Sequence, residues 1–173
     1  TNDKNFTEFE ETIKQNLRVQ VCSTTLAQAA LPKIYGHPLY PAHLKQFIAK
    51  LEEQSAYISG LLNATPGLSC VKGQGAFYLS AVFKPDALKP SQNLPIANQK
   101  AKNYIESLVK DPALPLDKRF AFYLMASRGI LLTPLSSFEG PLGFRVTTLK
   151  TNLAETKKVY LALKSAVEEY LQS

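Results

Sequence analysis

A chain of 173 residues is long enough to bury a core and is expected to form one domain, or one domain with an arm. At 45% hydrophobic and 20% charged residues it has the make-up of a globular protein rather than a disordered one. Its net charge of +6 is spread along the chain with no basic run longer than two, which argues against a nucleic-acid-binding surface, and no apolar run approaches the length of a membrane span. In chain order, Thr7-Glu8-Phe9-Glu10 has the form of a capping box. Phe6, Phe9, Ile13 and Leu17 recur at helical spacing, so a helix is predicted over 7–17. Val19, Val21 and Cys22 make a brief extended piece, and Ser23 caps a second helix from Thr24 to Tyr35, interrupted by Pro32. Gly36, Pro38 and Pro41 mark a loop. The longest helix is predicted from Ala42 to Asn63, with an apolar stripe that includes Leu44, Phe47, Ile48, Ile58 and Leu62. Two strands follow, Leu68 to Val71 and Ala76 to Phe83, about a turn at Lys72-Gly73-Gln74-Gly75. Residues 84–95 hold Pro85, Pro90 and Pro95 without periodicity and read as a surface excursion.

Helices are predicted from Ile96 to Lys110 and from Leu116 to Arg128, with Gly129 placed to end the second. After a further pair of short strands, Asn152 and Glu155 cap a last helix reaching Leu171, with Leu153, Val159, Tyr160, Leu163, Val167 and Tyr170 inward. The order is three helices, two strands, two helices, two short strands and one helix. That order predicts an α+β fold with a small, mostly antiparallel sheet covered by helices.

Chemistry is sparse. Cys22 and Cys70 are isolated, and with only His37 and His43 beside them they make no zinc cluster. Nothing resembling a signal peptide opens the chain, so a cytoplasmic setting is expected. There is no nucleophile elbow, no phosphate-cradling glycine loop and no metal-ligand pair. What stands out is Gly129 to Leu149. An apolar run breaks at Pro134, passes through a loop with Ser136 and Ser137, and returns as an alternating strand. On that strand Phe144, Val146 and Thr148 share one face and Arg145, Thr147 and Leu149 the other. Arg145 is suited to grip a carboxylate with its two-pronged fork; the plain alternative is an edge-strand arginine facing water.

Several segments together resemble the C-terminal part of class I/II, fold-type-I aminotransferases. Leu17-Arg18-Val19-Gln20-Val21-Cys22 continuing to Gln28-Ala29-Ala30 is similar to the piece that follows the family's cofactor-lysine region, closest to the alanine aminotransferase branch. Gly75-Ala76-Phe77-Tyr78 resembles the first strand of the family's small domain. Arg128-Gly129-Ile130-Leu131-Leu132-Thr133-Pro134 with Ser136-Ser137-Phe138, and then Gly143-Phe144-Arg145-Val146-Thr147-Thr148-Leu149, resemble the segment ending in the strand that bears the substrate-binding arginine.

The resemblance implies that Arg145 binds the substrate's α-carboxylate, with Ser136 and Ser137 at the pocket mouth. It implies amino acid and 2-oxo acid substrates, pyridoxal 5'-phosphate held mainly by a domain outside this chain, and a homodimeric intact enzyme. Neither nucleic acid nor membrane is an expected partner. Residues 1–173 would be the C-terminal small domain, with 1–35 an arm packing on the large cofactor domain. The chain opens at Thr1 without a methionine, in keeping with a piece of something longer. Two departures stand out. Leu135 occupies the place where the family has glycine after Pro134, and none of the sixteen lysines has the Ser-Lys or Ser-x-x-Lys setting, followed by arginine, of the Schiff-base lysine. The isolated chain is therefore expected to be inactive. Other fold-type-I chemistry (a carbon–sulfur lyase or a decarboxylase) keeps the same arginine strand, and a non-catalytic module binding a small acid or acidic peptide is the reading from outside the enzymes.

Overall fold

The computed structural model describes residues 4–19, 24–149 and 152–173. They fall into two compact units that divide between Gln46 and Phe47. The first holds helix α1 (Lys4–Val19), helix α2 (Thr25–Tyr35) and the start of helix α3 (Tyr40–Asn63). Helix α1 outruns its predicted span at both ends. The capping role given to Ser23 and the extended piece at Val21 and Cys22 lie outside the described residues. Pro32 sits inside α2, and Pro41 is in the first turn of α3, where its missing N–H costs nothing. The predicted stripe on α3 divides along its length. Ile58 and Leu62 are fully buried, whereas Leu44, Phe47 and Ile48 stay exposed.

The second unit is built on a four-stranded antiparallel sheet. Strand β1 (Leu68–Cys70) pairs with β2 (Tyr78–Phe83), β2 with β4 (Gly143–Thr147), and β4 with β3 (Thr133–Pro134), so the order is β1-β2-β4-β3. Helices α4 (Gln99–Leu108), α5 (Leu116–Arg128) and α6 (Leu153–Gln172) complete the predicted order. Leu79, Ala81 and Phe83 of β2 and Phe144 and Val146 of β4 are buried on one face of the sheet. There Phe120 of α5 meets Phe83, Phe144 and Tyr170 of α6 at ring separations of 5.5, 5.9 and 5.0 Å. Such tilted aromatic contacts add to the burial of apolar area, which is what holds sheet to helices.

Local chemistry accounts for the boundaries. Helix α5 ends where expected because Gly129 takes the left-handed conformation (φ +66°) and its N–H donates to the Met125 carbonyl. Helix α6 starts at Leu153 because the Asn152 side chain accepts from the N–H groups of Ala154 and Glu155. Helix α4 begins at Gln99 rather than Ile96 because Asn98 caps it, its Oδ1 accepting from Ala101. Ala76 has φ +56°, left-handed and unsuited to a strand, so β2 starts two residues later than predicted.

Residues 84–95 are irregular but not a surface excursion, since Leu88, Gln92 and Leu94 are buried. The Gln92 amide makes this possible. Its Oε1 accepts from the Lys89 N–H at 2.8 Å, and its Nε2 donates to the Ala87 and Leu171 carbonyls at 3.0 and 3.3 Å. It thereby supplies the partners that buried loop backbone would otherwise lack.

Candidate functional site

Arg145 lies on an interior strand, not an edge. Its neighbours in register are Ser80 on β2 and Thr133 on β3. Because Phe144 and Val146 turn into the core, Arg145 emerges on the opposite face. Tyr78, two residues from Ser80 along β2, is the diagonal neighbour, and its ring lies 4.3 Å from the guanidinium carbon. Phe138, from the loop before β4, brings a second ring to 4.8 Å. Both separations are inside the range of cation–π attraction, and a flat guanidinium stacks well on ring faces.

The rings hold the cation without consuming its hydrogen-bond donors. Among the described residues Arg145 has no hydrogen bond or ion pair, its only contacts of this kind being the two rings. The other arginines of this unit are used by the fold. Arg119 donates to the Gln92 and Val109 carbonyls, and Arg128 pairs with Glu169. A guanidinium with its N–H fork free has the donors to meet an anion, and the planar fork matches the geometry of a carboxylate.

A cavity of about 220 Å³ adjoins Arg145. It exists because β3 covers β4 only at Phe144 and Arg145, leaving the Val146–Thr147 edge open. Its remaining walls are largely apolar, among them Ile130, Leu132 and Leu163, with Thr133, Thr147 and the two tyrosines Tyr78 and Tyr160 as the hydroxyl-bearing members. The Tyr160 hydroxyl donates to the Thr147 carbonyl at 2.7 Å, and burial pushes its pKa up to about 12, so it remains a neutral donor. The arrangement can bind and orient a small anion. It contains no nucleophile or base to act on one.

Ser136 and Ser137 do not line this cavity. They sit on a short 3-10 turn, Leu135–Phe138, and reach the site through Phe138 at its end. Ser137 is exposed, and the Ser136 hydroxyl is buried without a hydrogen-bond partner among the described residues. Leu135 fits the turn without strain: the left-handed residue is Glu139 (φ +58°), four positions later than where a glycine was expected. The Ser136 N–H donates to Oδ2 of Asp117 at 2.9 Å.

Sequence reasoning missed three residues here. Tyr78 belongs to the Gly75-Ala76-Phe77-Tyr78 motif, but its contact with Arg145 depends on strand register. Phe138 likewise stood in a motif without a role. Asp117 is an acidic residue in the first turn of α5, a place where exposed carboxylates are common, yet it is only 1% exposed.

The family described as aminotransferase class I and II matches residues 11–161, most of the chain. The chain belongs to this family. An uncharacterized aminotransferase of Methanocaldococcus jannaschii is 36% identical over 172 residues, which is 99% of this chain and 39% of that protein. The chain thus spans well under half the length of that curated relative. An alanine aminotransferase from Pyrococcus furiosus shares the fold over 96% of this chain and 36% of its own, with a TM-score of 0.67 at 24% identity. An aspartate aminotransferase from Rhizobium meliloti overlaps 73% of this chain and 27% of its own, with a TM-score of 0.55 at 22% identity. The α+β arrangement with a small antiparallel sheet predicted from the element order is the one shared with the Pyrococcus furiosus structure. Among the described residues no helix is long and apolar enough to cross a membrane, and no group of three potential metal ligands occurs.

Proposed function

We propose that this chain is the carboxylate-binding small domain, and the C-terminal segment, of an enzyme that transfers an amino group from an amino acid to a 2-oxo acid. The observation that carries this reading is the free guanidinium fork of Arg145, held between Tyr78 and Phe138 in a chain of the aminotransferase family. Amino donor and 2-oxo acceptor both carry an α-carboxylate, so a single fork serves both halves of the reaction. Holding the carboxylate at one point fixes the rotation of the substrate about its Cα and so decides which bond is aligned for cleavage.

Pyridoxal 5'-phosphate supplies the electron sink for such a reaction. The walls of the Arg145 cavity contain no lysine to meet its aldehyde, so these residues do not fit the cofactor itself. What they fit is the substrate's carboxylate. In this reading the cofactor is held by residues outside the chain, the enzyme works in the cytoplasm as a homodimer, and residues 1–35 form an arm packed on the cofactor domain. Support for the arm comes from Phe6, Phe9 and Leu17, which follow one another at helical spacing and are all about three-fifths exposed.

The test is Arg145→Lys in the full-length enzyme loaded with cofactor. A point charge cannot reproduce a fork. The expected result is a fall in kcat/KM for the amino donor of about 100-fold, with cofactor binding unchanged; 100-fold corresponds to about 2.7 kcal/mol of transition-state stabilisation. A change smaller than threefold overturns the assignment.

A further inference from the structure

We propose that Asp117 is a positioning residue for Arg145, its carboxylate joining the two segments that build the guanidinium's surroundings. The inference rests on the reading of Arg145 as the carboxylate anchor and adds a residue to that site. Oδ2 of Asp117 accepts from the Ser136 N–H at 2.9 Å and from the Gly143 N–H at 3.3 Å, while Oδ1 accepts from the Lys118 N–H at 2.9 Å. Ser136 lies two residues before Phe138, whose ring stacks on the guanidinium. Gly143 lies two residues before Arg145 itself. One oxygen therefore holds the ring-bearing turn and the arginine-bearing strand at a common point on α5.

An acidic residue that served only its own helix would bond N–H groups of that helix. Asp117 instead directs one whole oxygen outside it. The carboxylate is 1% exposed and has no ion-pair partner among the described residues, so backbone N–H groups and the positive end of α5 answer its charge. Residue type matters here, because all three partners are donors. An asparagine of the same size would turn its NH2 either toward Lys118 or toward the Ser136–Gly143 pair, and lose those bonds. Gly143 makes the joint unforgiving. A Cβ there would stand 2.3 Å from the Ala81 carbonyl oxygen, so only glycine lets β4 approach β2 this closely beside the joint.

The experiment uses the full-length enzyme with its cofactor and propionate, a carboxylate that cannot be transaminated. Its dissociation constant is read from the cofactor's absorbance for wild type, Arg145→Gln, Asp117→Asn and the double variant. Arg145→Gln is expected to weaken propionate at least tenfold, Asp117→Asn about tenfold, and the double variant little beyond Arg145→Gln alone. If Arg145→Gln leaves propionate binding unchanged, the anchor reading itself fails and takes this proposal with it. If Arg145→Gln weakens binding but Asp117→Asn does not, or the two effects multiply, Asp117 serves stability alone and only the positioning role is overturned.

Hydrogen exchange of the wild-type enzyme keeps the test open should Asp117→Asn not fold. By reciprocity, saturating propionate must slow exchange at the Ser136 and Gly143 amides. Unchanged exchange there overturns the proposal.

Discussion

Gly143 sets the limits within which Arg145 can be placed. Its backbone is not left-handed, so the demand for glycine comes from space alone: an added Cβ would meet the Ala81 carbonyl oxygen at 2.3 Å and the Leu135 Cδ1 at 2.9 Å. The leucine end could rotate away, but the carbonyl belongs to β2 and cannot. Gly143→Ala should therefore destabilise the fold by about 2–3 kcal/mol, in the range for forced overpacking, and weaken carboxylate binding through the displaced strand. Chemical denaturation checks the first effect and a propionate titration the second. At this scale the sequence was half legible. Arg145 announced itself because alternation along a strand is local and one charge among apolar neighbours is conspicuous. Tyr78 and Asp117 could not, because a diagonal contact and a buried carboxylate both depend on which distant segments are brought together.

Helix α6 shows how chemistry summed along one element becomes a property of the fold. Its inward face carries two buried tyrosines, Tyr160 and Tyr170. Burial raises the pKa of each phenol to about 12, above the ordinary value of 10. The fold thus prefers both neutral. Their contribution to stability is complete below pH 10 and is lost as pH rises from 10 toward 12. The denaturation midpoint should fall between pH 8 and pH 11, and Tyr170→Phe should blunt that fall; a midpoint unmoved over this interval would contradict the assignment. Elements of this kind were well legible, since α5 and α6 have apolar periodicity and their own stop and start residues. Residues 84–95 were not, because a loop buried by one glutamine leaves no periodic trace.

For the whole molecule, the order of elements followed from periodicity and punctuation, and the antiparallel sheet from that order. The division at Gln46 and Phe47 did not, since it falls inside one continuous helix with no break in sequence pattern. The large apolar residues left exposed include Phe6, Phe9, Leu17, Leu26 and Leu39. The 173-residue chain alone should accordingly bind an apolar fluorescent dye and give no transaminase turnover with added pyridoxal phosphate. A dye-silent chain, or one with measurable turnover, would count against its being part of a larger enzyme. The sheet carries one more consequence, for the time course of folding. Strands β1 and β2 are near neighbours in sequence and can join early. Tyr78 and Thr147 face each other only after α4 and α5 have been threaded between them, and closing so long a loop is slow. The Tyr78 ring contact of Arg145 is accordingly expected among the last to form, whereas Phe138 is a near neighbour of Arg145 in sequence. A chain halted before that step would carry Arg145 without the β2 ring that helps to hold it.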